Sequence, residues 1–222
     1  MAQIFTAETE EHQRALTQVD ALASQALNWV APIQFDVART DMERAAVYRL
    51  RYQAVVEHGW MQPSDLPDGL EHDEYDEHAI HIVGWNGDML AATSRLILPR
   101  PRYSLPTEKA FDIKVKPTGK VADAGRFVVA RAYSSLEHRV LAVLLAKTWL
   151  VMREYGYETA CAAFASNAML RVYRRMGFNV TVLGPARQYW GVDRHPLQFD
   201  VAQAMPALLA RWNQSQGNMR AA

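Results

Sequence analysis

The stretch IHIVGWNGDMLAATSRLIL, residues 80–98, predicts a β-hairpin. Residues 80–85 and 89–98 are rich in the apolar and β-branched side chains that are typical of strands. Asn86-Gly87 lies between them, and this dipeptide is a strong signal for a tight turn that joins two antiparallel strands. Two adjacent antiparallel strands are therefore expected here.

Upstream of the hairpin, the sequence predicts two helices and one strand. Residues 8–29 carry apolar side chains at helical spacing, which indicates an amphipathic helix. Residues 33–38, IQFDVA, alternate like a strand with one buried face. Thr40 and Glu43 have the spacing of a capping box, in which each side chain accepts a hydrogen bond from the other residue's backbone N–H. That box is expected to open a helix that ends near His58.

Downstream of the hairpin, strand and helix patterns continue to alternate. The expected elements are a strand at 125–130, a helix at 136–155, a strand at 159–164, a helix at 168–176, strands at 179–184 and 195–201, and a closing helix at 202–213. Ser134 and Glu137 have a second capping-box spacing, and Gly177 can end the short helix as a C-cap. This order predicts an α/β (α+β) protein with a mixed central sheet that is covered by helices.

A single domain accounts for most of the chain. The sequence has no internal repeat, low-complexity tract or Gly/Ser linker, and 222 residues suit one domain with an added segment. We assign residues 1–31 to an N-terminal helical extension, packed on the domain or on a partner, and residues 32–222 to the domain itself.

Charge and cysteine content exclude several classes of function. The 24 basic and 24 acidic side chains balance, which argues against a protein that coats nucleic acid or an anionic membrane. Cys161 is the only cysteine, which excludes an intramolecular disulfide and a cysteine-rich zinc site. The sequence shows no run of 18 apolar residues and no secretory signal, so we expect a cytoplasmic protein. The histidines have no metal-binding spacing, and we expect neither a metal nor a cofactor.

The segment Tyr173-Arg-Arg-Met-Gly177-Phe178 resembles the YxxxGF segment of GNAT acyltransferases. The resemblance implies a largely antiparallel mixed sheet with a V-shaped cleft and helices on both faces. It also puts Tyr173 where that superfamily has a general acid for the leaving thiolate, with simple packing as the alternative. Residues 130–138 lack the glycine-rich turn that holds the pyrophosphate of acetyl-CoA, which argues against ordinary acetyl-CoA binding.

Four further motifs resemble the acyl-homoserine-lactone synthase family. In chain order they are YRLRYQAVVEHGW (48–60), EHDEYD (71–76), SRLI (94–97) and GRFVV (125–129). These synthases have a GNAT-like fold and typically take a fatty acyl chain from an acyl carrier protein. The residues at the family's positions are Arg51, Trp60, Asp73, Asp76, Arg95 and Arg126. The resemblance spans about residues 35–200, and it implies that Trp60 closes over the acceptor, with a place in the core as the alternative.

The sequence departs from that family on the acceptor side of the site. Val55 replaces an aromatic residue, and the spacing from Arg51 to Trp60 is one residue short. Asp123 replaces a glutamate, and Gly125 stands where a serine is usual. These changes weaken the assignment of S-adenosylmethionine as the acceptor. They leave room for the related N-acyl amino acid synthases, which acylate a free amino acid.

Acyl transfer requires a base for the attacking amine and hydrogen-bond donors for the thioester oxygen. By the resemblance, Asp123 is the candidate base, directly or through a water, and Arg126 belongs to the same catalytic group. Backbone N–H groups of Phe127 to Val129 would hold the thioester oxygen if the neighbouring strands separate there. Phe127 is therefore counted as catalytic and Val128 as substrate-binding.

The carboxylates of the acidic loop have two possible roles. Asp73 and Asp76 are three residues apart and can face the same way, toward the sulfonium or amine of an acceptor. Alternatively they pair with Arg51, Arg95 and Arg126, because a buried guanidinium is costly unless it is paired. Both roles are compatible, since an arginine–carboxylate network can shape a loop around a substrate.

Basic residues on two helices form a candidate docking surface for an acyl carrier protein, which is strongly acidic. They are Arg139, Lys147, Arg171, Arg174 and Arg175. A solvated helix surface explains the same residues equally well.

Three hypotheses for the function follow. In the first, the protein is an N-acyltransferase that moves a fatty acyl group from acyl carrier protein, with acyl-CoA as the alternative donor, to the amine of S-adenosylmethionine. In the second, a free amino acid is the acceptor. In the third, the chain is a catalytically silent GNAT-like module that only binds a partner.

Overall fold

The structure, a computed structural model, describes residues 2–165, 167, 170, 171, 174, 179–189 and 191–200. Tyr173, Arg175, the C-cap at Gly177 and the predicted closing helix at 202–213 lie outside the described residues. Of the predicted helix at 168–176, three residues are described, and all three are helical. They are Leu170, Arg171 and Arg174.

In the described part of the chain, eight strands form a mixed sheet. They are β1 (Gln34–Val37), β2 (Ile80–Asn86), β3 (Met89–Ile97), β4 (Val121–Val129), β5 (Thr159–Ala165), β6 (Val180–Val182), β7 (Arg187–Tyr189) and β8 (Val192–Asp200). The strand order is β1-β2-β3-β4-β5-β8-β6, and β7 pairs with β8 beside this path. Among these described strands, only β4 and β5 pair in parallel. The largely antiparallel sheet of a GNAT-like fold is confirmed, and β2 and β3 form the predicted hairpin.

Helices cover both faces of this sheet. They are α1 (Ala2–Ala26), α2 (Asp41–Glu57), α3 (Pro106–Phe111) and α4 (Glu137–Glu154). α1 and α4 pack on the face to which β3 turns Ala92 and Leu96. α2 lies over the opposite face, to which β3 turns Arg95, because successive side chains of a strand alternate between faces. Among the described residues, no helix is long and apolar enough to cross a membrane.

Of the two predicted capping boxes, only the first is formed. The backbone N–H of Glu43 donates to the Thr40 hydroxyl at 3.2 Å, and the Thr40 N–H donates to the Glu43 carboxylate at 2.9 Å. The second prediction, with Ser134 as the cap, is wrong. Residues Arg131–Leu136 form a 3-10 helix, and α4 follows directly at Glu137 without a side-chain cap.

The N-terminal helix α1 packs along α4. Leu16 is completely buried in the core between the helices and the sheet. The indole N–H of Trp149 on α4 donates to Asp20 on α1 at 2.7 Å, and His12 lies 2.7 Å from Glu158 just after α4. The extension therefore completes the helical layer on this face of the sheet.

β4 and β5 separate in the middle of the sheet. Their pairing runs from Val121 to Asp123 on β4 and ends there, although β4 continues to Val129 and β5 to Ala165. The sheet therefore forks beyond Asp123, as the cleft of a GNAT-like fold requires.

A β-bulge lies on β4 just beyond the fork. Gly125 pairs with Arg95 and Val128 with Thr93, so two residues of β4, Arg126 and Phe127, stand opposite one residue of β3. Arg126 has φ of 54°, in the left-handed region that residues other than glycine rarely adopt. The bulge turns the Arg126 side chain toward the acidic loop.

Candidate active site

Arg51 carries a charge into the protein interior. α2 buries Val47 and Leu50 on the same side, so its amphipathic pattern also brings Arg51 inward. The side chain is 1% exposed. Its guanidinium donates to both oxygens of Asp76, at 2.7 and 3.1 Å, and to Glu71. This geometry matches the planar fork of a guanidinium to the two oxygens of a carboxylate.

Two further arginines reach the same acidic loop from the sheet. Arg95 on β3 donates to Asp73 at 2.6 Å and lies 3.1 Å from Asp76. Arg126 at the bulge donates to Glu71 at 3.0 Å and to Asp73 at 3.2 Å. The three arginines and three carboxylates, called the ion network below, balance in charge.

Electrostatics keep two buried carboxylates of the ion network, Asp76 and Glu71, charged. Burial alone would raise the pKa of Asp76, but hydrogen bonds and charges from Arg51 and Arg95 outweigh it and hold that pKa well below its usual range. The pKa of Glu71 is also lowered, because the charges of Arg126 and Arg51 outweigh the effect of burial. Within the described residues, no group of three or more His, Cys, Asp or Glu side chains could hold a metal ion.

The acidic loop positions its carboxylates through its own backbone. The N–H of Glu71 donates to the carbonyl of Tyr48 on α2 at 3.1 Å, which ties the loop to the helix. The N–H of Asp73 donates to the Asp76 carboxylate at 2.7 Å, and the N–H of Tyr75 donates to the Asp73 carboxylate at 2.9 Å. The segment from Asp73 to Asp76 therefore forms a tight turn, in which both aspartates contact Arg95.

A cavity of about 440 Å³ lies beside the ion network, and we call it the acidic-loop cavity. Its charged lining consists of Glu71, Asp73, Glu74, Arg95, Lys109 and Arg126. The Asp73 side chain is 25% exposed, whereas that of Asp76 is 2% exposed and lies against Arg51 and Arg95. Of the two aspartates proposed to face an acceptor, Asp73 therefore faces the cavity, and Asp76 supports the arginines behind it.

A second cavity, of about 240 Å³, lies between α2 and the end of β4, and we call it the β4 cavity. Its apolar lining includes Leu50, Val56, Val128 and Val129. Val128 therefore lines a cavity. The Phe127 side chain is partly buried and packs against the core around α4.

Asp123 lies at the base of the fork and is buried. The backbone N–H of Thr107 donates to its carboxylate at 2.7 Å, and the Cys161 thiol lies 3.6 Å from the same oxygen. Burial raises the pKa of Asp123, although hydrogen bonds from Thr107 oppose this. A raised pKa suits a base, but a base must also reach the amine, and the lining of neither cavity includes Asp123.

Trp60 follows α2 at the edge of the site. Its ring stacks on His58, with centroids 4.6 Å apart, and the guanidinium carbon of Arg194 on β8 lies 4.7 Å from its ring centroid. Tyr189 on the neighbouring strand β7 lines the acidic-loop cavity. Trp60 thus joins the β7–β8 hairpin to α2 next to that cavity.

The sequence reasoning missed two residues of the site. Glu71 bonds Arg51 and Arg126, and its signal was present as the first acid of EHDEYD. His81 on β2 is buried beside Asp76, at 3.7 Å, and edge-on to the Tyr48 ring. Burial lowers the pKa of His81 to about 4, so the ring stays neutral among the arginines. No sequence signal separated His81 from an ordinary strand residue.

The predicted carrier-docking residues lie in different environments. Arg139 donates to the carbonyl of Trp29 at 3.1 Å, and the Lys147 side chain is 16% exposed and lies 3.8 Å from Asp36. Lys147 therefore has little surface to offer a protein partner. Arg171 and Arg174 are exposed. Arg175 and Tyr173 lie outside the described residues.

A protein-family model matches this chain. The family is described as the N-acyl amino acid synthase FeeM, and the match covers residues 46–199, which is more than half of the 222 residues. No curated protein sequence matches.

Solved structures of related enzymes share the fold. FeeM, an N-acyl amino acid synthase from uncultured soil microbes, is 18% identical with a TM-score of 0.63, covering 81% of this chain and 97% of FeeM. TofI, solved with an inhibitor and MTA, is 24% identical with a TM-score of 0.61, covering 79% of this chain and 96% of TofI. BjaI, a CoA-dependent acyl-homoserine lactone synthase solved with MTA, is 22% identical with a TM-score of 0.62, covering 81% of this chain and 88% of BjaI. The chain belongs to the family of the N-acyl amino acid synthase FeeM and is an N-acyltransferase.

Proposed function

We propose that this enzyme moves a fatty acyl group from an acyl thioester to the α-amine of a free amino acid. The observation that carries the proposal is Asp73, the carboxylate of the ion network that is partly open to the acidic-loop cavity. Membership in the FeeM family supports an amino-acid acceptor. The departures from the lactone-synthase pattern at Val55, Asp123 and Gly125 point the same way.

The charges of the acidic-loop cavity suit a zwitterion. Asp73 is the group that would bind the ammonium of the amino acid, while Arg126 and Lys109 offer positive charge to its carboxylate. Tyr75, Tyr189 and neighbouring apolar side chains would contact the rest of the acceptor. Arg95 and Arg126 donate hydrogen bonds to the Asp73 carboxylate, so this carboxylate is already oriented when the ammonium binds.

The β4 cavity is the proposed site of the acyl thioester. Its apolar residues Val128 and Val129 follow the bulge, where β4 no longer pairs with β5. Backbone N–H groups released there can donate to the thioester oxygen as negative charge develops on it. The bound ammonium first loses one proton to water in the cavity. The neutral amine nitrogen then bonds to the carbonyl carbon, the carbon–sulfur bond breaks, and the second proton lost by the nitrogen ends on the thiol.

We propose acyl carrier protein as the donor. The 3-10 helix Arg131–Leu136 contains no glycine, and α4 begins with Glu137. A carboxylate at this helix start would repel the diphosphate of CoA, which binds best to free N–H groups and positive charge. The exposed Arg171 and Arg174 would attract an acidic carrier.

The test supplies the purified enzyme with an acylated carrier protein or an acyl-CoA, each combined with the twenty amino acids or S-adenosylmethionine. Products are identified by mass spectrometry. We expect an acylated amino acid, formed faster from the carrier protein.

Each other outcome overturns a stated part of the proposal. An acylated lactone would overturn the amino-acid acceptor, and faster transfer from acyl-CoA would overturn the carrier donor. No acylated product from any pair would overturn the transfer itself.

A further inference from the structure

Asp123 on β4 contacts α3 through Thr107 and β5 through Cys161, at the base of the fork. It lies on β4 at the last position where β4 pairs with β5, opposite Cys161, and is 4% exposed. Its carboxylate accepts from the Thr107 N–H at 2.7 Å and lies 3.6 Å from the Cys161 thiol. The carboxylate is thus already engaged by the protein, and the same oxygen serves both contacts.

Thr107 is the second residue of α3, a helix that needs outside support. α3 has six residues, and its N-cap, Leu105, has no side chain that can accept a hydrogen bond. The first N–H groups of a helix require acceptors from elsewhere. Asp123 supplies one of them, and Glu108 accepts from Leu105 and Val115, both at 3.0 Å.

α3 is in turn a wall of the acidic-loop cavity. Pro106, Lys109 and Ala110 from this helix line the cavity. A shift of α3 would therefore change the shape of the cavity and move the Lys109 charge within it. The hydrogen bond from Thr107 to Asp123 fixes this wall to the central strand.

We propose that Asp123 is a positioning residue that holds α3 in place as the wall of the acceptor site, and that it does not take the proton from the attacking amine. The inference rests on the proposed acyl transfer to an amino acid. It replaces the role of base that the sequence resemblance gave to this residue.

Steady-state kinetics of Asp123→Asn and Asp123→Ala separate the two roles. Asparagine keeps an oxygen that can accept from Thr107 but cannot act as a base, whereas alanine loses both properties. We expect Asp123→Asn to keep kcat within about fivefold, because loss of a general base costs about 100-fold or more. We expect Asp123→Ala to raise KM for the amino acid by about tenfold or more, as a lost positioning contact does.

Two measurements complete the test. Glu108→Ala loosens the same wall and is expected to raise the amino-acid KM as Asp123→Ala does. The pH profile of kcat/KM is expected to be the same in Asp123→Asn and the unmodified enzyme. If Asp123→Asn does not fold, the amino-acid KM of Glu108→Ala decides alone, because this variant leaves the Asp123 carboxylate in place.

A loss of kcat of about 100-fold in Asp123→Asn, with an unchanged amino-acid KM, would overturn the positioning role. An unchanged KM in both Asp123→Ala and Glu108→Ala would do so as well. Absence of any acylated product from the unmodified enzyme is a different result and would overturn the proposed function instead.

Discussion

Arg51 lies where water does not reach, and its charge persists because Asp76 and Glu71 surround it. Desolvation of such a group costs several kcal/mol and is repaid only by well-placed partners. Pairing of the arginines with the loop aspartates was predicted from the sequence as one of two compatible roles, because a buried guanidinium needs a partner. The sequence could not show that Asp76 turns inward while Asp73 faces a cavity, because that difference depends on the packing of α2 over the sheet.

Replacing Arg51 by methionine leaves Asp76 and Glu71 buried with one cation fewer. We expect Arg51→Met to lower the free energy of unfolding by about 3–5 kcal/mol, measured by urea denaturation at pH 7. The control is Arg14→Met, which removes an exposed pair with Glu10 and is expected to cost less than about 1 kcal/mol. Equal losses in the two variants would show that the buried network is not what stabilises this region.

His81 gives the fold a dependence on pH. Its folded pKa is about 4, lowered from 6.5 by burial, and Arg51 and Arg95 oppose its protonation while Asp76 favours it. His81 therefore binds a proton more readily in the unfolded chain than in the folded protein. The contribution of neutral His81 to the free energy of unfolding is complete above pH 6.5 and is lost as pH falls toward 4. We expect the free energy of unfolding of His81→Gln to decline less steeply over that pH range than that of the unmodified protein, as measured by urea denaturation at several pH values. Parallel curves for the two proteins would contradict the assignment.

Two substitutions at Arg126 distinguish the effect of its left-handed backbone on stability from the effect of its guanidinium. With φ of 54°, this position tolerates glycine and strains alanine, by about 1 kcal/mol. Both substitutions remove the contacts to Glu71 and Asp73. We expect Arg126→Gly to unfold at a higher urea concentration than Arg126→Ala. The reverse order would mean that the bulge is not held in this conformation.

At the scale of elements, those with strong local sequence signals were predicted correctly. Elements that depend on tertiary contacts were missed or given wrong bounds. Asn86-Gly87 and the box at Thr40 gave the hairpin and the start of α2. α3 was missed because six residues are too few to show a helical period, and its ends depend on contacts from Asp123 and Glu108. β4 begins at Val121, four residues before the prediction, because burial stabilises a segment of low strand propensity.

The packing of α1 on α4 makes the N-terminal helix part of the core. Leu16 is fully buried, so we expect Leu16→Ala to lower the free energy of unfolding by about 2–5 kcal/mol in urea denaturation. Gln18→Ala, on the exposed side of the same helix, is the matched control and is expected to change it by less than about 0.5 kcal/mol. A cost below about 1 kcal/mol for Leu16→Ala would show that α1 does not pack on α4 in solution.

At the scale of the whole molecule, the chain has 24 basic and 24 acidic side chains, and some of these opposite charges cluster in the ion network. α2, β3 and β4 each bring one arginine to one acidic loop, and most of that charge cancels inside the protein. Asp73 remains partly open to the acidic-loop cavity, which the loop, β3, β4 and α3 line. The fold thus places one oriented carboxylate where an amine can bind, and this is the basis of the proposed acyl transfer.

The most direct test is the KM for the amino-acid acceptor in Asp73→Asn, with Asp88→Asn in the exposed hairpin turn as the matched control. Loss of a charged hydrogen bond to the ammonium is expected to raise this KM about tenfold or more, because such bonds contribute about 1.5–3 kcal/mol. The KM for the acylated carrier protein should stay unchanged, and Asp88→Asn should change neither value. An unchanged amino-acid KM in Asp73→Asn, or a raised KM for the carrier protein alone, would contradict the account.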